Sequence, residues 1–244
     1  MNPSIASIAL YSLLPAFTMI IGGTVASLYQ PSDKLTSATQ HFAAGVVFAA
    51  VAKELLPKLG EGKTPVALIV GFSLGVILML LLKALTNKLN EQEEQSTGLS
   101  LGLVSSVGID LFIDGILIGI AFLTGKQGGM LIAVALALEI LFLGLSTSST
   151  LGRRSVSVKI RLLLSLCLAL LIPLGSILGA TLLAQLPKAI TEGLLSFGVA
   201  ALLFLVTEEL LTEAHEHEIE ETPLITASFF MGFLGILILE NLAG

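Results

Sequence analysis

Charge is the scarcest commodity in this chain. Only 12% of its 244 residues are charged, against about 25% in an ordinary soluble domain. So few charges cannot cover a water-facing surface, and with 55% hydrophobic residues the chain must take lipid as its solvent. Cysteine is nearly absent: Cys167 stands alone in an apolar run, so neither an intrachain disulfide nor a thiolate metal cluster can form. Basic residues are few, and the net charge of -6 argues against a nucleic-acid partner. None precedes Lys34, so the first apolar run lacks the basic start of a signal peptide and reads as a retained helix.

What is abundant is long apolar sequence. A spanning helix needs about 20 mostly apolar residues, and eight segments qualify, at about 5–29, 37–57, 64–86, 99–123, 129–151, 160–185, 190–214 and 222–243. Backbone groups in lipid must be satisfied within their own segment, so these are helices and not strands. The expected fold is an all-α polytopic membrane protein of eight transmembrane helices in one domain, residues 1–244. Its connections are short, and the longest polar one, at 87–98, reads as a solvated loop. Lys34, Lys83, Lys88, Arg153, Arg154, Lys159 and Arg161 fall on one side, against Lys53, Lys58, Lys63, Lys126 and Lys188 on the other. That excess assigns the first side to the cytoplasm, with both termini outside.

The chain repeats itself. Pro15 and Gly22-Gly23-Thr24 in the first segment correspond to Pro173 and Gly179-Ala180-Thr181 in the sixth. Glu54-Leu55-Leu56, Thr64-Pro65 and Gly71-Phe72 correspond to Glu209-Leu210-Leu211, Thr222-Pro223 and Gly232-Phe233. Segments 1–3 therefore resemble segments 6–8. The units begin five crossings apart, an odd number, so they point in opposite directions. Inverted repeats are a common transporter architecture, with the substrate near the midplane. A 3+2+3 arrangement leaves segments 4 and 5 between the repeats.

Those two segments carry acids near their middles. Asp110 and Asp114 are one helical turn apart and share a face, and Glu139 lies in segment 5. A carboxylate at the bilayer centre costs roughly 2.5–3.5 kcal/mol on insertion scales, and two aspartates one turn apart also repel. A divalent cation is the simplest tenant; proton carriage is a second option. Protonated acids hydrogen-bonded to Ser, Thr or backbone are a plainer third, which does not explain why three cluster. Gly115 and Gly119, spaced GxxxG, read as a close helix contact.

Further acids sit near segment ends. Glu54 and Glu209 are repeat counterparts on opposite sides, one serving entrance and one exit; Glu208 adjoins the latter. The plainer alternative is that they are solvated interfacial carboxylates. After segment 7, His215 and His217 stand among glutamates in TEAHEHEIEET. This is a transient site for Zn, Mn or Fe(II), or simply a polar juxtamembrane loop. His41 reads as interfacial rather than as a ligand. No nucleophile–base pair and no HExxH motif is present, so enzyme activity is not expected.

These motifs resemble the ZIP (Zrt/Irt-like) metal transporters over nearly the whole chain. AAGVVFAAVAKELLP, ending at Pro57, is similar to the family's AAGxxxAxxxxHLLP, with Glu54 in place of histidine. Asp110-Leu111-Phe112-Ile113-Asp114-Gly115 matches the spacing of HNxxDG. Glu139 keeps the first glutamate of HExPHE, Ile172-Pro173-Leu174-Gly175 resembles EPLG, and EELLTEA at 208–214 resembles DELLPEA.

The resemblance implies a divalent-cation transporter for zinc, iron or manganese in the cell (inner) membrane, with eight helices and both termini outside. It is compatible with a homodimer. The family's binuclear site would retain Asp110, Asp114 and Glu139 and lose ligands at Leu111, Leu138, Phe142 and Ile172, leaving one ion. An all-carboxylate set leans towards harder ions such as Mn, Mg or Ca. Glu54 would admit the ion, and Glu208, Glu209, His215 and His217 would release it. Two alternatives are a proton-coupled or other-ion carrier on the same scaffold, and a non-transporting sensor or interaction protein.

Overall fold

A computed structural model of the chain describes residues 5–29, 32–60, 64–93, 99–183, 186–216 and 223–243. The described residues are almost entirely helical. The helices are α1 (Ile5–Leu28), α2 (Asp33–Ala50), α3 (Leu56–Gly60), α4 (Pro65–Glu93), α5 (Leu101–Thr124), α6 (Lys126–Arg153), α7 (Val158–Ala169), α8 (Leu171–Leu183), α9 (Lys188–Phe204), α10 (Leu211–Glu216) and α11 (Pro223–Ala243). Six stretches are long and apolar enough to cross a membrane: Ala6–Leu28, Pro65–Leu85, Leu101–Leu123, Lys126–Arg153, Val158–Thr181 and Lys188–Leu210. The chain is thus an all-α integral membrane protein. The expected second segment is more polar, carrying His41, Lys53 and Glu54, and the apolar part of the eighth is shorter, Pro223–Leu239.

Three local features differ from the sequence expectation, each for a physical reason. α4 continues to Glu93, two turns into the stretch expected as loop, because Lys, Leu, Glu and Gln are good helix formers and no Gly or Pro stops them. The expected 160–185 helix breaks at Leu170, between α7 and α8. Pro173 lies three residues on, and its ring cannot sit against the carbonyl of Ala169 in a continuous helix. Finally, π turns interrupt two rods, at Val51–Leu55 between α2 and α3 and at Leu205–Leu210 between α9 and α10. They fall on matching residues of the repeat, Glu54-Leu55 and Glu209-Leu210.

Packing rests on four intimate helix pairs: α1 with α6, α5 with α8, α2 with α11, and α4 with α9. In lipid, small residues let backbones approach, because apolar side chains gain nothing by leaving lipid tails. Each pair follows that rule. A methyl group built on Gly144 would lie 2.7 Å from the Met19 carbonyl oxygen, and one on Gly75 would lie 2.7 Å from that of Phe197. One on Gly119 would lie 2.5 Å from the Ser176 carbonyl oxygen, and one on Gly232 would meet that of Phe42. The expected close contact at Gly115 and Gly119 is therefore real. It is reciprocated by Gly175 and Gly179 on α8, which the sequence reading passed over.

The remaining contacts gather α1, α5, α6, α7 and α8 into one group and α2, α4, α9 and α11 into another, joined mainly where α2 meets α6. Polar ties reinforce particular pairs. The Ser27 and Ser148 hydroxyls lie 2.8 Å apart, joining α1 to α6. Ser196 donates to the Leu68 carbonyl at 2.7 Å, joining α9 to α4. Arg161 donates to the Ser148 carbonyl at 3.1 Å, tying α7 to the end of α6.

Gly125 sets the depth of the acids. It is the single residue between α5 and α6, and its φ of 147° lies where glycine is favoured. The chain reverses there, so α5 and α6 pack as neighbours. Asp110 and Asp114 precede this turn, and Glu139 comes after it, by between 11 and 15 residues. At 1.5 Å per residue, all three fall about 17–23 Å from the turn.

Candidate metal centre

Asp110 and Asp114 share one face of α5, and α6 brings Glu139 to them. One carboxylate oxygen from each lies within 4.8 Å of the others. Oxygens ligate hard divalent ions at about 2.0–2.6 Å. Atoms up to 4.8 Å apart can therefore sit on opposite sides of one ion, or close on it with small side-chain movements. Asp114 and Glu139 are each 2% exposed, while Asp110 is half-buried. The Asp114 Oδ2 atom is buried without a hydrogen-bond partner among the described residues. An anionic oxygen left so is costly, and a cation answers that cost better than the alternative of hydrogen bonds to Ser, Thr or backbone, which this atom lacks.

A cavity of about 250 Å³ leads to the group. It is walled by Met79, Leu82, Lys83 and Leu85 of α4, Ser105 to Val107, Ile109 and Asp110 of α5, Leu143 of α6, and Glu209. Glu209 thus joins Asp110 in one space. Glu209 lies within the π turn Leu205–Leu210, and such turns recur at functional sites.

The route closes beyond Asp114. Leu117, Ile120 and Ala121 of α5 are buried against Leu55, Leu195 and Leu202. The void left among them is about 10 Å³, the lower limit for even one water. Among the described residues, the cavity therefore opens towards the side of the α4 C-terminus, and apolar packing closes the space beyond Asp114.

The remaining residues singled out from the sequence lie apart from the acid group. Glu208, half-exposed, pairs with Lys83 at 2.8 Å on the cavity rim. Glu54 stands in the other π turn and pairs with Lys58 at 3.4 Å. His217 lies outside the described residues, and His215 is described only as part of the α10 backbone. His41 is buried within the helix bundle. It is 3% exposed, with Nδ1 2.9 Å from the Ser37 carbonyl oxygen, because α10 packs over this end of α2; Ser37 itself donates to the Ala214 carbonyl at 2.8 Å.

The positions that the resemblance marks as lost ligands are apolar packing. Leu111 and Ile172 are wholly buried and Phe142 is 9% exposed, so these three side chains offer no ligand for a second ion. The sequence reading missed Ser106 and Lys83 as cavity residues. Ser106 could have been found, since Ser106, Asp110 and Asp114 recur every fourth residue on one helical face. Lys83 could not, because only tertiary packing brings α4 to α5.

No protein-family model matches the chain, and no curated protein matches it.

Proposed function

We propose that the chain is a ZIP-like transporter of divalent metal cations, moving Zn-, Mn- or Fe-type ions through a carboxylate site at the membrane midplane. The observation that carries this reading is the trio Asp110, Asp114 and Glu139. These acids have oxygens within 4.8 Å of one another, lie mid-way along two apolar helices, and meet a cavity through Asp110. Buried acids on apolar helices mark ion pathways by default.

In this reading all eight rods cross the membrane as a 3+2+3 inverted repeat. Exchanging segments 1, 2, 3 and 4 with 6, 7, 8 and 5 converts the α1–α6 pair into α8–α5 and the α2–α11 pair into α9–α4. The matched π turns support the same exchange. The two packed groups suggest the moving parts. Segments 4 and 5 pack with 1 and 6, so in this reading they travel with those parts of the repeats.

By the basic-residue asymmetry the cavity faces the cytoplasm, in the inner membrane, with both termini outside. Glu209 then receives the ion on its way out, and Glu54 is its counterpart on the opposite side. The missing imidazoles favour, as a second reading, an ion other than zinc on the same scaffold.

The test is uptake. Purified protein in liposomes enclosing a metal-sensitive dye should give saturable entry of Mn²⁺ or Zn²⁺ above protein-free liposomes. Entry no faster than in protein-free liposomes would rule the transporter reading out.

A further inference from the structure

Every atom that the trio offers is a carboxylate oxygen. The adjoining cavity wall adds Glu209 and the hydroxyls of Ser105 and Ser106. Ser106 donates its proton to the Leu103 carbonyl at 2.9 Å, which leaves its lone pairs available. Among the described side chains, nitrogen and sulfur donors lie elsewhere. His41 has its Nδ1 on the Ser37 carbonyl, and Cys167 is exposed on α7. The Lys83 ammonium is a cation held by Glu208. Met79 alone brings sulfur to the described cavity wall, as an uncharged thioether that suits monovalent copper.

The donor set decides the class of ion. Imidazole and thiolate give zinc and cadmium their advantage, whereas carboxylate, hydroxyl and water suit Mg²⁺, Mn²⁺ and Ca²⁺. Cavity size points the same way. At about 30 Å³ per water, 250 Å³ holds roughly eight, room for an ion that keeps part of its shell, as Mg²⁺ does. Asp110, which lines the cavity, meets that shell first, and the unpartnered Asp114 Oδ2 is the deeper oxygen that replaces part of it. Resting on the transporter reading above, we propose that the cargo is a hard, oxygen-preferring divalent cation of the Mn²⁺ and Mg²⁺ class. One ion is carried at a time, partly hydrated, and zinc holds little advantage.

The test is equilibrium binding of Mn²⁺, Mg²⁺, Zn²⁺ and Cd²⁺ to the full chain in lipid nanodiscs. The expected result is that Zn²⁺ and Cd²⁺ bind less than about tenfold more tightly than Mn²⁺. Asp110→His, which puts one imidazole at the half-buried ligand, should raise the preference for zinc tenfold or more; an unchanged preference in the folded variant would overturn the proposal. So would a wild-type preference for Zn²⁺ or Cd²⁺ of tenfold or more, which leaves the transporter reading standing. If no ion binds, both fall.

Discussion

Asp114→Ala is expected to reduce divalent-cation uptake at least a hundredfold, to the level of protein-free liposomes. Asp114 is 2% exposed and one of three carboxylates around the proposed ion. Removing one partner from a buried charge pair typically costs 3–5 kcal/mol, and each 1.4 kcal/mol is a factor of ten in affinity. The same substitution should leave the metal-free protein as stable as the wild type or more so. It removes a buried acid whose Oδ2 has no hydrogen-bond partner among the described residues. Thermal unfolding of the metal-free protein therefore separates the two roles. A structural aspartate would lower the melting temperature on truncation; a ligand would not. Undiminished uptake by the folded variant would remove Asp114 from the pathway.

Gly115→Ala should destabilise the protein by about 1–3 kcal/mol, the usual cost of overpacking, despite the higher helix propensity of alanine. A methyl group there would collide with the Ile172 carbonyl oxygen and lie 3.0 Å from the Gly175 Cα. Backbone cannot rotate away as a side chain can, so α5 and α8 must separate, carrying the adjacent Asp114 with them. Uptake should fall with stability. Gly235→Ala is the control, since a methyl group there meets nothing within 4 Å, and it should leave both unchanged. Denaturant or thermal unfolding in detergent checks the pair. Equal stability of the two variants would mean that α5 and α8 do not touch through Gly115.

The position of the helices was legible because lipid imposes a strict rule: roughly 20 apolar residues for each crossing. The acid trio was legible for a related reason. Asp110, Asp114 and Glu139 stand out against apolar sequence, and a four-residue spacing fixes a shared helical face.

What was not legible depends on tertiary packing or on small local energies. Pro15 lies within continuous α1, yet Pro173 coincides with a break at Leu170, so proline alone does not say which helix will yield. The π turns at Glu54 and Glu209 leave no mark in hydropathy. The burial of His41 was not legible either, since the α10 segment that packs on α2 lies far along the chain. Glu208 and Glu209 are neighbours in sequence, yet one pairs with Lys83 on the rim and the other joins the cavity. Only the local helical geometry separates them.

The most direct test of the metal site is a crystal structure of the protein soaked in Mn²⁺, with anomalous scattering collected near the manganese edge. One anomalous peak is expected between Asp110, Asp114 and Glu139, about 2.0–2.6 Å from their oxygens. A map with manganese bound elsewhere and none among these three carboxylates would rule out the site on which the proposed function rests.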